Sequence, residues 1–255
     1  MLTFDIETKA KPDDELRRIF GDYDPGIVHP GTFDPSSVKT GNLKDPAKIQ
    51  EKIDAAAAEH AALADSYESR VAEAKAAAFA EFKSRAALSA TTGEILCIGY
   101  FNPNTNTFAA VDGTNKDGDA PEVRILTSFW SKFETCRQQK RPMIGLNIHD
   151  FDLPFIVRRS WVLGVPVPHG VLMQGRFWCD TFIDLRKVWL CGQATNGTKS
   201  SFDELAAAFG TDGKPEGIGG GDFARLWEED RPRAVAYLEN DLRQPAKWAK
   251  AMGVG

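Results

Sequence analysis

Apolar and polar positions along this chain change period several times, and each change predicts an element. Residues 2–6 form a short apolar, β-prone run, 94–101 (Glu-Ile-Leu-Cys-Ile-Gly-Tyr-Phe) a second, and 107–111 a third after a polar turn rich in Asn. This pattern predicts a three-strand antiparallel meander. Beyond a Gly/Asp-rich loop, Val123, Leu126, Phe129, Trp130 and Phe133 recur at helical spacing within 121–139. A short buried strand is predicted over 142–147, a helix over 151–164 and a further strand over 178–185. A short helix over 202–209 stopped by Gly210 and a closing helix over 233–252 complete the order β-β-β-α-β-α-β-α-α. That order predicts an α/β fold, a mixed sheet flanked by helices, with parallel pairing where helices intervene between strands.

With 255 residues, 42% hydrophobic and 26% charged, the chain can bury one large core, or a core and a substantial appendage. No apolar run approaches the ~20 residues that cross a bilayer, and the N-terminus lacks a signal-peptide pattern, so a cytoplasmic protein without membrane contact is expected. Cys97, Cys136, Cys179 and Cys191 have no C-x-x-C spacing and are expected as reduced, buried thiols. The net charge of -5 excludes a generally basic surface that coats nucleic acid. It leaves room for a cation-loaded acidic site with a local basic rim, for which Arg158-Arg159, Arg186-Lys187 and Arg231-Pro232-Arg233 are candidates, though each pair alone reads as solvated surface.

Three segments carry candidate chemistry. In Phe4-Asp5-Ile6-Glu7-Thr8, Asp5 and Glu7 are two apart on a strand and share one face, where hard oxygen ligands suit Mg²⁺ or Mn²⁺. A solvated strand end is the plain alternative. Asp152, in Asn147-Ile148-His149-Asp150-Phe151-Asp152-Leu153-Pro154-Phe155-Ile156, precedes Pro154 by two and alone would read as a helix N-cap, with Asp150 left to solvent. Tyr237 and Asp241 are four apart on a predicted helix, so both stand on one face.

Taken together and in order, these segments resemble the three motifs of the DEDD 3'-5' exonucleases, in the tyrosine (DEDDy) subgroup with a ribonuclease-H-like fold. They are most similar to the proofreading exonuclease domain of family B DNA polymerases. Position 236, where the histidine subgroup carries its His, is Ala236. Softer likenesses are Asp184-Leu185, Ser201-Phe202-Asp203-Glu204-Leu205 and Phe209-Gly210. The resemblance implies two divalent metal ions, Mg or Mn, held by Asp5, Glu7, Asp152 and Asp241, with Tyr237 orienting the attacking water. It places Thr8 and Asn147 near the substrate. Phe151, Phe155 and Trp161 are candidates for stacking on terminal bases, with core packing favoured for Trp161.

The resemblance covers the first strand and then about 93–252. Residues 9–92 separate two strands that compact members of this fold join by a short turn, so they read as an insertion within a single domain spanning 1–255. To Lys44 the insertion is expected as an irregular loop. From Asp45-Pro46 a long Ala-rich helix is expected, either unbroken to about Ala87 or broken near Asp65-Ser66 into a hairpin. It could pack on the core, hold nucleic acid, bind a protein partner or self-associate. The Gly-rich run 217–221 is expected as a mobile loop and not a phosphate loop. Because the chain ends soon after the third motif, the expected function is a stand-alone 3'-5' exonuclease acting on single-stranded or frayed DNA. An exoribonuclease and a catalytically silent nucleic-acid or protein binding module are the alternatives.

Overall fold

The computed structural model describes residues 1–114, 120–173, 177–191, 199–215 and 220–254. In chain order its elements are β1 (Leu2–Ala10), α1 (Asp13–Phe20), α2 (Pro46–Asp65), α3 (Tyr67–Ser84), β2 (Gly93–Asn102), β3 (Thr107–Val111), α4 (Pro121–Gln138), β4 (Met143–Gly145) and α5 (Asp152–Val162). There follow β5 (Leu172–Met173), β6 (Phe177–Trp178), β7 (Phe182–Asp184), α6 (Leu185–Trp189), α7 (Phe202–Phe209), α8 (Phe223–Glu229) and α9 (Arg231–Ala251). The chain divides into two compact units, Met1–Lys11 with Arg85–Gly255, and Pro12–Ser84.

The first unit is built on a mixed five-strand sheet in the order β3-β2-β1-β4-β7. β1 pairs antiparallel with β2 and parallel with β4, and β4 pairs parallel with β7. The period-2 alternation of β1 sends its side chains to opposite layers. Leu2, Phe4 and Ile6 enter a core with Phe129, Phe133 and Ile156 of α4 and α5, and the Phe4 and Phe129 rings lie 5.3 Å apart. Each such fully buried side chain contributes about 1.5–3 kcal/mol. On the other side, Cys97 and Phe101 of β2 pack with Phe223, Leu226, Leu238 and Leu242 of α8 and α9. Here α9 rides directly on the sheet: a Cβ at Gly99 would lie 2.7 Å from Leu242 Cδ1 and 2.8 Å from Leu238 Cγ. Thr3 completes the seam, its hydroxyl facing Phe101 O and Leu242 O, each at 3.1 Å.

Local signals explain the smaller elements. Ser201 and Glu204 form a reciprocal capping box on α7, and Gly210 ends that helix in the left-handed region at φ 62°. Asp184 caps α6 by accepting from Arg186 N. The strand expected over 178–185 is two pieces, because the chain turns between β6 and β7, where Phe182 N bonds Cys179 O at 3.0 Å. Trp161, expected in the core, is 62% exposed; at this level of α5 the contact with α4 is made by Ser160, which accepts from Trp130 Nε1 at 2.9 Å. Cys97 and Cys136 are buried as expected, whereas Cys179 is partly buried and Cys191 exposed.

In the second unit, the irregular loop expected to Lys44 contains α1, whose first turn carries Asp13, Asp14 and Glu15 and whose last carries Arg17 and Arg18, matching the helix dipole. Phe20 of α1 packs against Phe79 and Phe82 of α3 at 5.5 and 5.2 Å, and Arg17 lies over the Phe79 ring. Asp45 caps α2 with Pro46 in its first turn, as expected. Between α2 and α3 only Ser66 intervenes, itself in the right-handed helical region, bonding back to Ala62 O and accepting from Arg70 N. One such residue cannot reverse the chain, so the break is a kink and not a hairpin. Among the described residues no helix is long and apolar enough to cross a membrane.

One buried ion pair ties α4, α5 and β2 together. Arg159, a candidate for a basic rim, is instead 2% exposed and donates to both oxygens of Glu122 at 2.8 and 2.5 Å and to Ala90 O at 3.1 Å. Glu122 also accepts from Ile95 N at 2.8 Å. Glu122→Ala takes the carboxylate from a buried guanidinium and the acceptor from a strand N–H, and is expected to cost about 3–5 kcal/mol of unfolding free energy. Chemical denaturation of Glu122→Ala against the Glu122→Ala/Arg159→Met double variant checks this. The double variant should recover part of the loss.

Candidate active site

The central position of β1 decides where the candidate residues meet. Asp5 and Glu7 stand opposite Gly99 and Cys97 of β2, on the face that carries α9, and the register shifts by a bulge just after Glu7, between Glu7 and Thr8. On α9, Tyr237 and Asp241 lie one turn apart and both are buried. Pro245 sits inside the same helix and withholds the N–H that would bond the Asp241 carbonyl. Asp5, Glu7 and Asp241 each bring a carboxylate oxygen to one place, all within 4.8 Å of one another. Tyr237 is 1% and Asp241 7% exposed.

Asp152 reaches the same strand from the other side. It is the first residue of α5, and the cap position before it, Phe151, makes no side-chain capping bond. The Asp152 side chain instead turns back to β1, accepting from Ile6 N at 3.1 Å and sharing a hydrogen bond with Asp5. The remaining expected residues are distributed unevenly. Thr8 spends its hydroxyl on Ala87 O at 2.8 Å. Phe151 is partly buried, while Phe155 is 2% exposed and belongs to the hydrophobic core. Its ring backs that of Phe151 at 5.8 Å and is not offered to a ligand, which corrects the expectation of a stacking role for Phe155. Asp150 pairs with Lys187 at 2.6 Å at the surface.

Bringing these carboxyls together out of water raises their proton affinity. Burial holds Asp5 well above the usual carboxylate range, and the charges of Asp152, Glu7 and Asp241 add to it. Burial, then Asp241, does the same for Glu7. Asp152 is pushed up to about 7 by burial, against the opposing pull of the Ile6 N–H and the bond with Asp5. Asp241 is raised by burial, with Lys214 opposing. The Tyr237 phenol is pushed up to about 12 by burial and by the Asp241 charge.

Lys214 is a member of the site that sequence reasoning missed. Its ammonium donates to Tyr237 Oη at 2.7 Å and to Asp241 Oδ2 at 2.8 Å. Its backbone is fixed by Lys214 N to Asp203 Oδ1 at 2.8 Å, and the preceding Gly213 O accepts from Asn240 Nδ2. A single Lys between Gly213 and Pro215 carries no motif, so only the fold reveals it. Asp184, part of one of the softer likenesses, accepts from Asn147 N, His149 N and Arg186 N, each at 2.9 Å, and so clamps the loop before α5. Of the three candidate cationic pairs, Arg186-Lys187 stands beside this loop, Arg186 donating to Asn147 Oδ1 at 2.7 Å and Lys187 pairing with Asp150. Arg231 is occupied by Asp112 and the Trp227 ring. The Gly-rich loop expected over 217–221 lies mostly outside the described residues.

The donor set suits a hard divalent cation. Besides clustering three carboxylates, the site leaves Asp241 Oδ1 buried without a hydrogen-bond partner among the described residues, an arrangement that a bound cation would satisfy. Asp5, Glu7 and Asp241 could hold one such ion.

The chain belongs to the RNase_H superfamily, whose match spans residues 86–246. The match includes Asp152, Tyr237 and Asp241, while β1 supplies Asp5 and Glu7 from outside it. No curated protein matches the chain. Among solved structures, it is similar to the family B DNA polymerase from the hyperthermophilic archaeon Pyrobaculum calidifontis, with 18% identity and a TM-score of 0.48. That similarity covers 66% of this chain and 23% of the polymerase chain.

Carboxyls with raised folded-state values bind protons that the unfolded chain has released, so their contribution to stability is present at low pH and lost as pH rises. The window opens near the ordinary carboxylate value and extends to about 7 for Asp152. In EDTA, the melting temperature should therefore fall between pH 4 and pH 7, and less so in Asp152→Asn. At pH 8, millimolar Mn²⁺ or Mg²⁺ should raise the wild-type melting temperature by mass action, and the rise should be lost in Asp241→Asn.

Proposed function

We propose that this chain is a 3'-5' exonuclease that hydrolyses DNA at single-stranded or frayed 3' ends with the help of two divalent metal ions, Mg²⁺ or Mn²⁺. The observation that carries the proposal is the placement of the Tyr237 phenol one helical turn before Asp241, beside the Asp5, Glu7 and Asp241 oxygens. This placement resembles the tyrosine-subgroup arrangement and occurs within a chain of the RNase_H superfamily, which supports the reading. DNA is chosen over RNA on the sequence of the loop and helix start, Asn147 to Ile156, which resembles the family B proofreading enzymes.

In this reading Asp5, Glu7 and Asp241 hold one ion, and Asp5 with Asp152 the second. The ions would supply Lewis-acid polarisation of the phosphate and the attacking water. The residues do the positioning. Tyr237, kept as a neutral phenol by its raised value, orients water through a hydrogen bond and does not abstract the proton as a phenolate. Lys214 holds the phenol oxygen and Asp241 in fixed relation and brings a positive charge to the place where an anionic phosphate must sit.

Oligonucleotides labelled at the 3' or 5' end, as single-stranded DNA and RNA, test the proposal in Mg²⁺, Mn²⁺ or EDTA. Stepwise shortening of DNA from the 3' end, lost in EDTA, is expected. Asp5→Ala and Asp241→Ala should lose about 10³-fold or more, equivalent to several kcal/mol of transition-state stabilisation. Tyr237→Phe should lose on the order of 10²-fold with the fold intact. Preference for RNA would move the assignment to an exoribonuclease, and metal binding without cleavage of either would sink it.

A further inference from the structure

A cavity of about 590 Å³ opens beside the carboxylate cluster, lined by Leu146, Asn147, Arg186, Lys199, Phe202 and Lys214 among others. Lys214 ties the cavity to the site, because its ammonium is the one bonded to Tyr237 and Asp241. Three cationic side chains face this space. Among the lining residues the one carboxylate, Glu204, is already engaged: it accepts from Ser201 N and Ser201 Oγ and lies 3.7 Å from Lys199. An acidic chain has thus gathered positive charge in one groove leading from its acidic cluster.

Asn147 lines this groove with an unusual backbone, φ 65°, held there by its N–H bond to Asp184. Its side chain is equally constrained. Arg186 Nη1 lies 2.7 Å from Asn147 Oδ1. A guanidinium has only donors, so the amide atom it meets must be the oxygen, and the NH₂ must point the other way. That NH₂ has no partner among the described residues. Arg186 is itself braced, through Nε to Ser200 Oγ at 3.0 Å and through its backbone N to Asp184.

We propose that Arg186 is a positioning residue for the nucleic-acid strand: it locks the Asn147 amide so that the NH₂ faces the groove and donates to a non-bridging phosphate oxygen. A rotated amide would offer its oxygen and repel that phosphate. Phosphate is the matching acceptor because the surrounding Lys199, Lys214 and guanidinium charges favour an anion over a neutral base carbonyl. The inference rests on the nuclease reading above and adds a residue that none of the three motifs contains.

The test is equilibrium binding of a fluorescent single-stranded DNA in EDTA, where no hydrolysis intervenes. Arg186→Ala and Asn147→Ala should each weaken binding about tenfold or more, as for hydrogen bonds to charged groups, and the double variant should be no weaker than the worse single. Additive losses would mean that Arg186 contacts the strand independently and would overturn the proposal. Arg186→Lys, which keeps a donor for Asn147 Oδ1, should restore most of the affinity; should Arg186→Ala fail to fold, Arg186→Met completes the same cycle. Asn147→Asp keeps the bond to Arg186 but loses the NH₂, and should bind at least as weakly as Asn147→Ala; wild-type affinity would refute the donor role.

Neutral methylphosphonate linkages placed one at a time near the 3' end should, at one position, cost the wild type more affinity than they cost Asn147→Ala there. Equal losses in both proteins at every position would likewise overturn the phosphate assignment. A wild type that binds no DNA or RNA would defeat the nuclease reading itself, whereas binding with an additive cycle defeats only the role of Arg186.

Discussion

Like charges brought together away from water set the terms for this structure. At 4 Å, two carboxylates repel by roughly 4 kcal/mol in the effective dielectric of a protein surface, and Asp5, Glu7 and Asp241 lie about that close. Such a cluster would spread apart if the frame allowed it. The frame does not: β1 is held between an antiparallel and a parallel neighbour, and α9 is seated on β2 by the missing Cβ of Gly99 and tied to β1 through Thr3. Repulsion that cannot relax by movement is relieved by protons, by the Lys214 ammonium or by bound cations. The raised carboxyl values and the orphaned Asp241 oxygen are two signs of the same rigidity.

Around this acidic centre the polar frame is built from charges that play different parts. Asp184 has the same side chain as Asp5, yet it is surrounded by N–H donors from Asn147, His149 and Arg186 and serves to hold a loop. Glu122 and Arg159 neutralise each other deep between helices. What distinguishes the site carboxylates is therefore not burial but the scarcity of donors around them. The acidity of the chain as a whole is compatible with a phosphate ligand because cations are concentrated where the cluster opens, at Lys214, Arg186 and Lys199.

Much of this was legible in the residues. Period-2 alternation and helical spacing locate the strands of the meander and the long helices, and spacing puts Asp5 with Glu7 and Tyr237 with Asp241 on common faces, while only the resemblance of the three segments to the DEDD motifs joins the two faces. The segment 178–185 misled because its apolar run crosses a turn, and a pattern of apolar residues carries no record of one. Short helices such as α6 and α8 fall below the length at which periodicity is detectable. Trp161, expected in the core, is exposed while Phe155 is buried, since an aromatic residue satisfies either a core or a surface pattern. Lys214 and Arg186 act through atoms distant in sequence, a relation that no local pattern encodes.

Tyr237 shows how burial narrows chemistry. A phenol pushed up to about 12 remains protonated across the range in which Asp152, at about 7, changes state. Its oxygen already accepts from Lys214, so its own proton is available to Asp241 or to a bound water. A group in that condition contributes geometry, and it does so without adding another negative charge to a cluster that already holds too many. A carboxylate at the same position would have deepened the repulsion, and a lysine would have competed with cations for Asp241. A neutral hydroxyl, held by an ammonium on one side and a helix on the other, directs hydrogen bonds into the site at no electrostatic cost.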